Sequence, residues 1–137
     1  MFFKKKEFKD NNFHTKICAL LIHAAKIDEN YTEIENEIIK KVLVELGLKN
    51  EQILKTLEDA KKVEENANHI LDFTREVKNL PEENKIKIIE ALWSIIYSNK
   101  EADIYETNLM RRLAGLLYID TKTMGDIKEK IKNQNLK

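Results

Sequence analysis

The chain has 137 residues, 42% apolar and 35% charged: long enough for one domain with its own core, and too apolar for a disordered segment. Its 24 basic and 24 acidic side chains cancel, which excludes the basic surplus of a dedicated nucleic-acid binder. Three glycines and one proline leave little turn chemistry for a many-stranded β fold, and the lone cysteine, Cys18, excludes an intrachain disulfide.

The opening stretch MFFKKKEFKD sets Phe2, Phe3 and Phe8 among Lys4, Lys5, Lys6 and Lys9. No apolar run follows that would make it a signal peptide, and no run in the chain is long enough to span a bilayer. Residues 1–11 are expected to be a flexible basic and aromatic segment. Phe2, Phe3, Lys4, Lys5 and Lys6 are its candidates for peripheral contact with an anionic membrane. Residues 12–137 are then one helical domain.

Apolar positions recur at helical spacing almost throughout. Asn12 is the expected N-cap of a first helix through Phe13, Ile17, Leu20, Leu21 and Ala24. A second carries Ile34, Ile38, Val42, Leu43 and Leu46 and stops at Gly47. Asn50 opens a third with Ile53 and Leu57. A fourth is expected from Asn66 or Asn68 to Leu80. Pro81 suits the first turn of a fifth, with Glu82 and Glu83 favoured by the helix dipole and Ile86, Ile89, Leu92, Trp93 and Ile96 behind them. A sixth holds Leu109, Leu113 and Leu116, and a short seventh begins near Asp120 or Thr121. No segment alternates like a strand. The expected fold class is all-α, about seven helices in a compact bundle.

The chain also resembles itself. A shift of 71 residues lays Ile34–Leu46 on Tyr105–Leu117 without a gap. Ile38 meets Leu109, Lys41 meets Arg112 and Val42 meets Leu113. The preceding loops, DENYTEIE from Asp28 and NKEADIYE from Asn99, share that register. The expectation is two related helix–loop–helix units.

Two readings compete for these loops. Thr32-Glu33-Ile34-Glu35 is a capping box, and Asp103 to Glu106 can cap a helix in the same way. That accounts for the second half of each loop and leaves Asp28, Asn30, Asn99 and Glu101 unexplained. Alternatively, Asp28, Asn30, Thr32 and Glu35 all offer oxygen, which hard cations such as Ca²⁺ or Mg²⁺ prefer. The spacing is not that of an EF-hand. Counting from Asp28, Glu33 stands where that loop needs Gly and Ile39 where it needs a bidentate Glu.

The loops and their flanking helices resemble the tellurite-resistance TerB-like family. Its pattern is an apolar helix, then roughly A-D-G-E-I-D-x-x-E, then an amphipathic helix, occurring twice. The stretches that carry the resemblance are AKIDENYTEIENEIIKKVLVELGL, ILDFTREVKNLPEENKIKIIEALWSIIYSNKEADIYE and YSNKEADIYETNLMRRLAGLLYI. Together they reach across about residues 13–130. The resemblance implies an all-helical fold, a link to stress response and an acidic metal site. By position that site falls on Asp28 and Glu35 in the first loop, and on Asn99, Asp103 and Glu106 in the second. Both loop glycines of the pattern are replaced here, by Glu29 and Lys100. Asn99 and Thr32 each replace an Asp, which lowers the carboxylate charge.

Other chemistry is thin. His14, His23 and His69 form no zinc-ligand spacing. No dinucleotide, P-loop or nucleophile-elbow motif is present. Trp93 reads as a core anchor, and the acids of Glu51–Glu65 alternate with lysines as a solvated face. Three functions follow as expectations. The first is a cytoplasmic, non-enzymatic interaction module with an unidentified protein partner, binding Ca²⁺ or Mg²⁺ through the acidic loops. The second is a membrane-peripheral accessory or co-chaperone-like protein using the Phe/Lys terminus, although the His-Pro-Asp signature of a J-domain is absent. The third is a metal-dependent hydrolase.

Overall fold

The computed structural model describes residues 2–26, 33–66, 71–98 and 104–135, with side chains described except those of 2–12, 71–72, 76, 104–106 and 135. These residues form seven helices and no strand: α1 Phe2–Lys26, α2 Glu33–Glu45, α3 Asn50–Asn66, α4 Leu71–Val77, α5 Glu82–Tyr97, α6 Ile104–Leu116 and α7 Thr121–Asn135. The chain is therefore all-α.

α1 and α5 form the centre. α1 is apolar all round from Ile17 to Ile22, and these residues are at most 1% exposed. On α5, Ile88, Ile89, Leu92, Trp93, Ile95 and Ile96 are at most 2% exposed. A helix without a polar face has to be surrounded by others. α3, α4 and α2 pack around α1, while α7 and α2 pack around α5, and α1 and α5 touch each other. Trp93 anchors the α5–α7 contact: its indole N–H points at Met124 Sδ at 3.3 Å, and its ring stacks on Tyr97 with centroids 5.8 Å apart.

Several boundaries differ from the sequence reading. α1 starts at Phe2, so Asn12 lies inside it and caps nothing. No Gly or Pro interrupts residues 2–26, and Lys and Glu propagate a helix well. α4 ends at Val77 rather than Leu80. Pro81 disfavours helical backbone at the residue before it, and Lys78 to Leu80 close as turns onto Thr74 O and Val77 O. Pro81 itself is the N-cap of α5, at φ −55° and ψ 148°, not its first turn. α7 is 15 residues long, because Met124, Ile127 and Ile131 keep one face in the core over its length.

The ends of α2 and α6 are built alike. After α2, the Leu48 N–H bonds to Leu43 O and the Gly47 N–H to Val44 O, both at 3.0 Å, with Gly47 at φ +98°. This is a Schellman closure with glycine at the left-handed position. After α6, the Ile119 N–H bonds to Ala114 O at 2.9 Å and the Tyr118 N–H to Gly115 O at 3.4 Å, but the left-handed residue is Tyr118, at φ +58°. Each closure is also tied to a central helix. His14 of α1 donates its Nε2–H to Leu46 O at 3.1 Å, and Lys85 of α5 donates from Nζ to Leu117 O at 3.0 Å. Both tethers join residues 32 apart in sequence.

Candidate functional site

α2 begins at Glu33, so its third position is Glu35. The other acids of its first half, Glu33 and Glu37, point to solvent, whereas Glu35 is only 1% exposed. The helix places it there: Glu35, Ile39 and Val42 lie along the face turned to the core. Burying a carboxylate costs several kcal/mol, roughly, unless positive charge and hydrogen bonds compensate it. The N-terminus of α2 supplies part of that compensation through its free N–H groups and dipole.

Of the expected cation ligands, the structure thus places Glu35. Asp28, Asn99 and Asp103 lie outside the described residues. Glu106 belongs to the first turn of α6, with its side chain outside the description. Phe2, Phe3, Lys4, Lys5 and Lys6 have their backbone in α1, and their side chains are likewise outside it. Among the described residues, no three His, Cys, Asp or Glu side chains gather closely enough to hold a metal. Glu35 brings oxygen and negative charge near the start of α2, and among the described residues no buried side-chain oxygen or nitrogen lacks a hydrogen-bond partner.

A second acidic position emerges that the sequence reading missed. Glu64, near the end of α3, receives Lys26 Nζ at 2.7 Å and lies 3.3 Å from His23 Nδ1. Both partners sit in the last turn of α1, where cations also suit the negative end of the helix dipole. Burial works against the Glu64 carboxylate, yet the bonds from Lys26 and His23 outweigh it and hold it below the usual range. The same contact raises Lys26 above the ordinary lysine range. Glu64 is therefore already neutralised and serves as a clamp between α1 and α3. No local pattern announces it, since its partners lie 38 and 41 residues away.

Cys18 is enclosed in the core, and burial pushes its thiol up to about 12 against a smaller opposing pull from Lys61. A protonated, inaccessible thiol is no nucleophile. Two hollows between helices lie at the surface. One of about 250 Å³ lies between α2, α5 and α7, where the Lys130–Glu90 ion pair spans 2.6 Å. Another of about 230 Å³ separates α4 from the end of α6. Among the described residues, no helix is long and apolar enough to cross a membrane.

A family model described as "Tellurite resistance protein TerB" matches residues 14–129. No curated protein and no solved structure matches the chain.

Proposed function

The chain belongs to the TerB family of tellurite resistance proteins, and from that premise we propose a non-enzymatic interaction module whose first acidic loop takes a divalent cation. The observation that supports the cation reading is the acid-rich stretch 28–33 leading into Glu35 near the start of α2, within the family match. Glu35 is 1% exposed, so an ion held there would be shielded from water. Glu35 and Asp28 are the ligands of this reading, with Asn99, Asp103 and Glu106 the weaker set of the second loop. The ion supplies charge neutralisation at the start of α2, and so orders the surface offered to a partner protein. Ca²⁺ suits it better than Mg²⁺, because Ca²⁺ accepts a wider range of ligand geometries.

Calorimetry tests this on chelator-treated protein with Ca²⁺, Mg²⁺ and Mn²⁺. The expected result is a saturable heat that Glu35→Gln weakens at least tenfold, as does Asp28→Asn. Absence of heat with all three ions, or a heat unchanged by both variants, removes the cation from the account.

A further inference from the structure

The outer face of α2 carries a second pattern, separate from the one that builds the core. Ile34, Glu37, Lys41 and Val44 follow one another at spacings of three, four and three residues. That is the a/d stripe of a coiled-coil seam. All four face solvent: Ile34 is 61% and Val44 45% exposed, the Glu37 side chain is 68% exposed, and Lys41 is exposed as well. Ile34 and Val44 are two of the five large apolar side chains exposed among the described residues. Between Ile34 and Lys41 the surface forms an open, mainly apolar hollow floored by Ile38.

The stripe is apolar at its ends and oppositely charged in its middle, which makes it complementary to its own antiparallel copy. In an antiparallel pair each a position meets a d position of the partner helix. Ile34 then meets a second Val44, and Glu37 meets a second Lys41. The same arrangement recurs on the other side of the two-fold axis, as a closed dimer requires. A parallel pairing would set Glu37 on Glu37 and Lys41 on Lys41, and like charges facing each other reject it. We propose that α2 is a self-association surface, on which a second copy of this chain docks its own α2 antiparallel in the register Ile34 to Val44 and Glu37 to Lys41.

The central ion pairs set register and orientation more than affinity. A single helix face also offers much less than the roughly 800 Å² per partner of a stable interface. The pairing is therefore reversible and depends on concentration.

Sedimentation equilibrium of the full chain, over a hundredfold range of concentration, reads it directly. The expected result is a monomer–dimer equilibrium. Lys41→Glu weakens it at least tenfold, and the double variant Glu37→Lys with Lys41→Glu restores it, because the swapped charges again face their opposites. Ile34→Glu abolishes it without rescue. All four positions are exposed, so circular dichroism of each variant is expected to match the parent. A chain that stays monomeric throughout overturns the proposal. So does a dimer indifferent to Lys41→Glu, or one that the double charge swap fails to restore.

Discussion

Replacing Gly47 by Ala perturbs one backbone position and almost nothing else. At φ +98° the residue adopts a conformation that L side chains rarely take. A Cβ built there meets no atom within 4 Å, so crowding contributes nothing to the cost. The left-handed region costs an L residue roughly 1–2 kcal/mol, and the stiffer unfolded chain returns about 0.4–1 kcal/mol. The expected net loss is about 1 kcal/mol, read as a lower urea midpoint at unchanged slope. Tyr118→Gly is the internal comparison. Tyr118 occupies the matching position after α6 at φ +58° and is 70% exposed, so the packing lost is small and includes the Lys85 ammonium 5.9 Å from its ring centroid. Its replacement relieves the same strain against the same entropic term, and is expected to leave stability unchanged or raised by up to about 1 kcal/mol. If Gly47→Ala matches the parent, or Tyr118→Gly destabilises by more than about 1 kcal/mol, the strain argument fails.

The Glu64 clamp gives stability a defined pH dependence. The folded carboxylate titrates below its ordinary value of 4.5, so its contribution is complete above that pH and disappears as the pH falls through the lowered value. Lys26, raised above 10.5, contributes fully below that pH and loses its part as the pH rises beyond it. Urea midpoints of Glu64→Gln are expected to lose this acid-side slope; an unchanged slope would assign it to other groups. Lys85→Ala deprives the Leu117 carbonyl of a charged donor at a site only 7% exposed, and should cost about 1–3 kcal/mol. His14→Ala removes the corresponding tether at a less buried site and should cost less, so the reverse order in thermal melts would contradict the comparison. Sedimentation with anionic vesicles separates the interaction module from the membrane-peripheral alternative. Equal recovery in the supernatant with and without residues 1–10 is expected, and pelleting that requires those residues would favour the alternative.

The helices were legible because their cores are periodic and their punctuation is conventional. Gly47 stops α2, and the apolar positions of α5 recur every three or four residues. Where the structure departs from the periodicity, a competing local preference wins. Pro81 shortened α4 from a distance of several residues, and the uninterrupted run from Phe2 carried α1 past Asn12. Tyr118 gave no warning that it closes a helix, since aromatic residues do not advertise left-handed backbone. The candidate site was legible only as composition. That Glu35 is buried while Glu33 and Glu37 are not depends on which face of α2 meets the core, and sequence spacing shows that only once the core is known. The clamp of His23, Lys26 and Glu64 was hidden because tertiary packing alone brings its members together.

Paramagnetic broadening by Mn²⁺ tests the cation claim most directly, because it locates the ion. Sub-stoichiometric Mn²⁺ added to the isotope-labelled chain broadens amide signals near a bound ion before all others. The account predicts that signals from residues 28–37 fade first, Glu35 among them, that those of 99–106 follow, and that Ca²⁺ restores them in competition. Broadening centred on the exposed acids of α3, or spread evenly over the surface, would contradict it.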